Sequence, residues 1–287
     1  MSRETIIDVK RSKAQKHFSH ALIYIFCIVI ALAAFYPFYV MVISSTWDNY
    51  NIVSKINWLP GNMIQKNYMR LTENIDLVKG ILNSLFLSVM VTVIEAYFTV
   101  LAAYAFSKFE FRFKNFLFGV VLVFMMVPGQ LGIIGFYKEI QNFHLLNSYI
   151  PLIVPSIANC FAVFFYKQFM DTAVPNELIE AAIMDGAREV QIFHTMVIPM
   201  MKAAIVTQSV LTFIGTWNSY MTPLIILNDQ KKFTLTLLIA TVRDATHADY
   251  GAQYLGMVIS IIPTIVIYCF ASKIIMEKIS VGAAVKG

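Results

Sequence analysis

The fold is decided by stretches such as residues 81–106, which read ILNSLFLSVMVTVIEAYFTVLAAYAF and contain one charged side chain, Glu95. A bilayer core of about 30 Å needs about 20 apolar helical residues to cross it. The run is long enough, and it lacks the strict alternation of a transmembrane β-strand. Because lipid offers no partner to an unpaired backbone group, the run is predicted to be a transmembrane helix.

Five further apolar runs predict the remaining transmembrane helices. The chain of 287 residues is 58% hydrophobic and 14% charged, whereas a soluble domain carries about 25% charged residues. The sequence therefore predicts an all-α integral membrane protein of about six transmembrane helices occupying residues 21–276. The five further runs lie at residues 21–43, 116–136, 149–170, 204–227 and 255–276.

The distribution of basic residues predicts the orientation of these helices. Cytoplasmic connections of membrane proteins carry an excess of Lys and Arg. With the N-terminus inside, the inner segments hold 14 of the 22 Lys and Arg residues and the outer segments hold 8. An N-in, C-in topology follows, with cytoplasmic tails at residues 1–20 and 277–287.

Composition also excludes several classes of function. The net charge of +5 is spread over the ends of apolar runs and forms no basic stripe with aromatic residues, so no nucleic-acid partner is predicted. The three cysteines lie inside apolar runs, and the five histidines are scattered. This pattern predicts neither a disulfide framework nor a metal site. No catalytic constellation is recognisable, so the chain is not predicted to be an enzyme.

The predicted inner segment between the fourth and fifth helices, residues 171–202, differs from the other connections. It reads DTAVPNELIEAAIMDGAREVQIFHTMVIPMMK. Pro175 suits the first turn of a helix, and Glu177 favours the positive end of the helix dipole. A helix of about two turns is predicted to reach Met184, after which Gly186 permits either a left-handed residue or close backbone approach. A second helix is predicted to run until Pro199 disrupts it.

Two interpretations of this short helix are open. Nine or ten residues cannot span a bilayer, and a helix that is largely apolar yet carries acids fits a groove on a partner protein, where Ala181 and Ala182 allow close approach. Alternatively the helix lies on the lipid surface, although interfacial helices prefer Lys and Arg on their polar face. This helix offers Glu177, Glu180 and Asp185 there.

The segment resembles the EAA loop of binding-protein-dependent ABC importer permeases, and Glu180, Ala181, Ala182, Gly186 and Pro199 match that pattern at its spacing. Met196 and Ile198 depart mildly from the Ile and Leu that usually stand there. The resemblance extends to the carbohydrate subfamily, and is nearest to the smaller of the two permease subunits of maltose-type importers. The stretches that carry it are NSLFLSV at 83–89, AAYAFSKFEFRF at 102–113, VPGQ at 127–130, WNSYMTPL at 217–224 and GAAVKG at 282–287.

This resemblance implies a permease subunit that moves a carbohydrate, in particular an oligosaccharide, across a prokaryotic cytoplasmic membrane. It implies a homologous second permease subunit, two cytoplasmic ATPase subunits or domains and an extracytoplasmic substrate-binding protein. By likeness, Glu180 pairs with the ATPase, Gly186 shapes the coupling loop, and the tail residues Gly282, Lys286 and Gly287 also reach the ATPase. The chain lacks a G-x-x-x-x-G-K-[ST] segment, so ATP and Mg²⁺ are expected on partner subunits and no cofactor on this chain.

Six residues are candidates for the translocation pathway, each with a structural alternative. Glu95 is the one acid deep within a predicted span, and it either serves the pathway or makes a hydrogen bond between helices. The amides either bind sugar hydroxyls or join helices, and the aromatic residues either stack on a sugar or lie in the interfacial belt. The candidates other than Glu95 are Asn159, Gln208, Trp217, Asn218 and Tyr220.

Two further functions remain as alternatives. An ion-gradient-driven secondary carrier would need several ionisable groups at the midplane or a repeat with broken helices, and neither is visible in the sequence. An ABC permease for a non-sugar solute would share the coupling loop. The outer segment 228–254 is predicted to be a polar connection, placed where maltose-type permeases contact the binding protein.

Overall fold

The computed structural model describes residues 3–243 and 248–284. Within those ranges the backbone is helical with no β-strand, and an isolated antiparallel bridge joins Arg243 to Ala248. The helices are α1 (Arg3–Ser44), α2 (Asn49–Ser54), α3 (Ile64–Asn74), α4 (Leu77–Lys108), α5 (Lys114–Met126), α6 (Ile133–Asn142), α7 (Ile150–Ile153), α8 (Cys160–Ala173), α9 (Asn176–Met184), α10 (Glu189–Ile192), α11 (Ile198–Met200), α12 (Lys202–Trp217), α13 (Met221–Ile226), α14 (Leu235–Thr241) and α15 (Tyr250–Ala284).

The predicted set of six spans is confirmed, with two of the spans bent. Among the described residues, four helical stretches are long and apolar enough to cross a bilayer, and two bent helix pairs bring the number to six. The four stretches are Leu22–Ser44, Leu77–Lys108, Ile150–Ala173 and Tyr250–Phe270, and the pairs are Lys114–Met126 with Gly129–Asn142 and Glu189–Met200 with Lys202–Trp217.

The third and fifth spans differ from the continuous helices that the sequence predicted. The helix predicted at 116–136 ends at Met126, and the chain turns by 90° before continuing from Gly129. Pro128 explains the break, because the residue before a proline is driven to an extended conformation, and Val127 adopts φ −80° and ψ 123°. The helix predicted at 204–227 ends at Trp217. Its span begins earlier, at Glu189, and bends by 76°.

The chain forms two compact units, one made of the residues up to Leu71 together with Arg243–Val258. In that unit the amide of buried Asn67 donates to the carbonyls of Ser45 at 2.7 Å and Trp47 at 2.9 Å. Asp249 is buried and lies 3.1 Å from the Arg70 guanidinium. These polar contacts hold the connection that follows α1.

The second unit comprises Thr72–Val242 and the chain from Ile259. Helix α4 is its centre, because α8, α12 and α14 all pack on it. A buried hydrophobic cluster lies towards the end of α4 that carries Lys108. Its members are Val100, Ala103, Tyr104, Ala162, Tyr166, Met170, Val174, Ile179, Ala182, Ile192, Phe193, Val197, Met201 and Ala204.

The predicted outer connection 228–254 is more structured than expected. Residues 235–241 form α14, in which Leu235, Leu237 and Leu238 are buried. A Cβ added at Gly80 would lie 2.7 Å from the Leu238 side chain, so the two helices approach closely there. The apolar run of α14 is too short to predict a span, and only its packing on α4 identifies it as part of the core.

Candidate functional site: a short exposed helix and a transmembrane cleft

The predicted short helix is confirmed as α9, Asn176–Met184. Pro175 occupies the position before the first helical residue, with φ −62° and ψ 143°. Two side chains, Ile179 and Ala182, are buried in the core cluster at 7% and 8% exposure. Their spacing of three residues places them on one face of the helix, so α9 rests on the transmembrane unit through a narrow apolar face.

The end of α9 is fixed by a Schellman motif. The amide of Ala187 donates to the carbonyl of Ala182 at 3.0 Å, and the amide of Gly186 donates to the carbonyl of Ile183 at 2.9 Å. This arrangement requires a left-handed residue, and Gly186 has φ +83°. The predicted left-handed conformation at Gly186 is therefore confirmed, and close backbone approach does not explain the glycine because nothing lies within 4 Å of an added Cβ.

The exposed surface of α9 and of the turn that follows it combines acids with apolar side chains. Glu177, Glu180, Ala181, Asp185 and Gly186 are exposed. Three large apolar residues share this exposure: Leu178 at 37%, Ile183 at 47% and Met184 at 85%. We call these eight residues the docking face. An exposed apolar patch rimmed by charges is typical of a protein-binding surface.

Helices α10 and α11 join through a π-helical turn, Phe193–Val197. Pro199 lies in α11, two residues before the turn residue Met201. Pro199 has no N–H to donate, and π-helical turns accommodate such interruptions of the α-helical ladder. The predicted disruption at Pro199 is thus found as the 76° bend between Glu189–Met200 and Lys202–Trp217.

The end of α4 contacts both sides of α9, which the sequence analysis did not identify. The Lys108 ammonium donates to the Val174 carbonyl and, at 2.8 Å, to Asn176 Oδ1. On the other side, the Tyr104 hydroxyl donates to Glu189 Oε2 at 3.0 Å. Both donors lie in the stretch AAYAFSKFEFRF, where their spacing of four residues places them on one helix face.

Glu95 lies at the junction of three helices. Its side chain is 3% exposed. It accepts hydrogen bonds from the Asn159 amide at 3.1 Å, the Gln208 amide at 3.3 Å and the Thr212 hydroxyl at 2.6 Å. Three predicted pathway candidates are thus brought together, joined by Thr212, which the sequence analysis missed. These contacts match the structural alternative for Glu95, Asn159 and Gln208, in which the three side chains form hydrogen bonds between helices.

The other three candidates do not share that cluster. Trp217 is 1% exposed and its indole donates to the carbonyl of Ser260 at 3.0 Å, so it lies neither on a pathway surface nor in an interfacial belt. Asn218 is exposed, and Tyr220 is 38% exposed. The difference for Trp217 arises because α15 covers it, a contact that local sequence does not reveal.

Tyr220 lines a cleft of about 700 Å³. The cleft lies where the bent third span meets the residues that follow α12. Its described lining contains no Asp, Glu, Lys or Arg. Its polar groups are the side chains of Gln130, Thr216, Ser219, Tyr220 and Thr222. Uncharged amides and hydroxyls can exchange hydrogen bonds with a neutral hydroxylated solute.

The predicted tail contacts are only partly within the described residues. Gly282 lies in α15, whereas Lys286 and Gly287 lie outside the described residues. Among the described residues, no group of three His, Cys, Asp or Glu side chains has the arrangement of a metal site.

Together, the spans and the exposed helix between the fourth and fifth spans are the features of a multi-pass membrane permease. Residues 95–281 match the family described as "Binding-protein-dependent transport system inner membrane component". The chain belongs to this family. It is a permease component of an ABC transporter in the cytoplasmic membrane, and the ATPase activity of such transporters lies in partner subunits.

Two relatives and one solved structure illustrate the match. The arabinooligosaccharides transport system permease protein AraQ of Bacillus subtilis (strain 168) is 32% identical over 209 residues, which cover 73% of this chain and 74% of AraQ. The lactose transport system permease protein LacG of Rhizobium radiobacter is 30% identical over 244 residues, 84% of this chain and 88% of LacG.

The solved structure is a bacterial ABC transporter involved in the import of the acidic polysaccharide alginate. One of its chains superposes with a TM-score of 0.76 at 23% identity, covering 90% of this chain and 97% of that one. At this identity the likeness demonstrates the fold.

Proposed function

We propose that this chain is the permease subunit of an ATP-driven carbohydrate importer and that the docking face binds a cytoplasmic ATPase subunit. The observation that carries the proposal is α9 itself. The helix is anchored by two buried residues, terminated by a glycine-dependent motif, and otherwise presented to a partner. A rigid projecting helix of this kind suits insertion into a groove.

The mechanism we propose is alternating access between two packings of the transmembrane helices. ATP binding closes the ATPase dimer, displaces α9, and shifts the equilibrium from an inward-facing to an outward-facing cavity. Glu177, Glu180 and Asp185 supply negative charge for basic groups of the ATPase. Gly282, Lys286 and Gly287 are proposed to make a second contact with it.

The unpartnered apolar surface supports a homologous second permease subunit. In the four spans that are not bent pairs, 0% to 33% of the most apolar 18-residue window is buried within this chain. Lipid covers much of the remaining surface, and the cleft beside Tyr220 would be closed by a companion subunit. Delivery of the solute is assigned to an extracytoplasmic binding protein.

The proposed solute is a carbohydrate, in particular a neutral oligosaccharide. The uncharged polar lining of the cleft supports this assignment, as do the arabinooligosaccharide and lactose systems among the relatives. A secondary carrier is less well supported, because Glu95, the acid that such a carrier would use, is held by three side chains of this chain. An ABC permease for a non-sugar solute stays open to experiment.

The experiment purifies the tagged chain with its companion permease and asks whether the ATPase subunits co-purify. Glu180→Lys reverses a charge on the docking face, and we expect it to reduce ATPase recovery at least fivefold. Arg112→Glu is the control, since it also reverses the charge of an exposed side chain in a loop predicted to face the same side. Equal recovery with wild type and Glu180→Lys would contradict docking through α9.

The solute is tested separately in proteoliposomes that contain the complete transporter and its binding protein. Uptake of labelled oligosaccharide should be competed by neutral sugars and not by anionic non-sugar solutes of similar size. Competition by the anionic solutes alone would reject a carbohydrate importer while leaving the docking result intact.

A further inference from the structure

Helix α4 is long enough to reach past the bilayer. Its 32 residues at 1.5 Å per residue extend about 48 Å, against a hydrocarbon core of about 30 Å. The last turns, which include Tyr104 and Lys108, therefore lie beside α9 on the side predicted to be cytoplasmic. The same helix carries α8 and α12 along its length.

Packing alone does not close the space between α9 and the end of α4. A groove of about 270 Å³ lies between them, lined by Ile179, Glu180 and Ile183 on one side and by Tyr104 and Lys108 on the other. Across this groove van der Waals contact is incomplete, although Ile179 and Ala182 belong to the same buried cluster as Tyr104. Polar side chains that bridge its margins therefore determine how far α9 lies from α4.

Lys108 bridges the margin where α9 begins. Its ammonium donates to the Val174 carbonyl, which ends α8, and to Asn176 Oδ1 in the first residue of α9. A cation at the C-terminal end of α8 also complements the helix dipole. One side chain of α4 thus holds the junction between α8 and α9.

Tyr104 bridges the opposite margin, beyond the Gly186 turn. Its hydroxyl donates to Glu189 Oε2 at 3.0 Å, a charge-assisted hydrogen bond. Its ring packs edge-on against Phe109 with centroids 5.3 Å apart and lies 5.5 Å from the Phe193 ring. The ring belongs to the core, whereas the hydroxyl alone makes the connection to Glu189.

We propose that Lys108 and Tyr104 are positioning residues. Their hydrogen bonds connect both ends of the segment 174–189, which contains α9, to α4. A displacement of α9 therefore moves α4 and the helices packed on it. This proposal rests on the proposed function, since it needs the ATPase to move α9. Together with the buried side chains of Ile179 and Ala182, two hydrogen-bonded contacts on one face of α4 restrict both translation and rotation of α9.

The test measures sugar imported per ATP hydrolysed in proteoliposomes with the complete transporter. Lys108→Met removes the ammonium and keeps most of the side-chain volume, and Tyr104→Phe removes the hydroxyl and keeps the ring. We expect each to lower the import ratio at least threefold while ATPase subunits co-purify in wild-type amounts. The import ratio of the double variant should be little lower than that of the more impaired single variant, because both residues hold the same rigid segment.

Two further variants separate positioning from stability. Lys108→Arg keeps a charged donor at the same place, so the import ratio should recover to at least half of wild type. Lys114→Met removes a lysine whose ion pair is with exposed Glu110, and it should leave the ratio unchanged.

An unchanged ratio in both Lys108→Met and Tyr104→Phe would overturn the proposal. Loss of ATPase co-purification in these variants alone would also overturn it, because the residues would then support docking and not transmission. Loss of co-purification in the wild type would instead reject the proposed function.

Discussion

The hydrogen-bond cluster around Glu95 gives the most quantitative prediction for this chain. Replacing Glu95 with Leu removes the acceptor of three hydrogen bonds that tie α4 to Asn159, Gln208 and Thr212. Interhelical hydrogen bonds in membrane proteins contribute about 0.6 kcal/mol each on average and at most about 1.7 kcal/mol. Three of them therefore predict a loss of about 2 kcal/mol in the free energy of unfolding, with an upper bound of about 5 kcal/mol.

An opposing effect limits this estimate. Replacing a buried polar side chain with an apolar one removes its desolvation penalty, and such replacements are often neutral or stabilising when every hydrogen-bond partner is replaced as well. Here Glu95→Leu leaves the three donors in place without an acceptor, and an unsatisfied buried donor costs about 1–3 kcal/mol. We therefore expect net destabilisation. Glu95→Gln keeps one acceptor oxygen but places an amide donor where the second carboxylate oxygen accepted a hydrogen bond. We therefore expect an intermediate loss of about 1 kcal/mol in the free energy of unfolding.

The assay is equilibrium unfolding of the purified chain in mixed micelles of increasing SDS content, followed by tryptophan fluorescence. Val93→Ala is the control at similar depth on α4, because its side chain is 60% exposed and its replacement should change the free energy of unfolding by less than about 0.5 kcal/mol. If Glu95→Leu were as stable as the wild type or more stable, the cluster would contribute no net stability and the reasoning would be refuted.

Three further predictions address the backbone and the caps. Gly186→Ala places a Cβ at φ +83° and should weaken the α9 turn by about 1–2 kcal/mol, seen as faster hydrogen exchange in α9, whereas Gly119→Ala, with open space around it, should not. Trp217→Phe loses the indole hydrogen bond to α15 and should destabilise the chain by about 1–2 kcal/mol, measured by SDS unfolding; no change would contradict its structural role. The Asn51 backbone amide donates to the Asp48 carboxylate and lowers the pKa of that carboxyl below its ordinary 3.8. The stability that the Asp48 carboxylate contributes by capping α2 is therefore fully present above pH 3.8, and it is lost as the pH falls through the lower folded pKa. Asp48→Asn should abolish this pH-dependent loss, measured as hydrogen exchange of the α2 amides. Identical acid profiles for the wild type and Asp48→Asn would refute the prediction.

Local features of the sequence sufficed to predict the spans and the short helix α9. The apolar runs predicted the six spans because each run must satisfy its own backbone in lipid. Glu177, Gly186 and the short apolar run between them predicted α9, since capping and helix termination depend on neighbouring residues. The EAA spacing indicated the family, and the match over residues 95–281 confirms it.

The breaks within the spans were only partly predictable. Pro128 marks a possible break, but a proline inside an apolar run is compatible with a continuous kinked helix. Whether the helix bends by 90° there depends on what packs beside it. In α15, Pro263 lies inside a helix that continues without interruption to Ala284. The same residue type thus gives two outcomes, which tertiary contacts decide.

The sequence by itself determined that this chain crosses the membrane and presents a short acidic helix between its fourth and fifth spans, because both properties follow from residues within a few helical turns. Only the tertiary structure decided which polar groups satisfy one another. Glu95 meets side chains 64, 113 and 117 positions away, and Tyr104 meets Glu189 across 85 positions. Hydrogen bonds between distant residues depend on how helices pack, and helical periodicity specifies which face is apolar but not which helix will cover it.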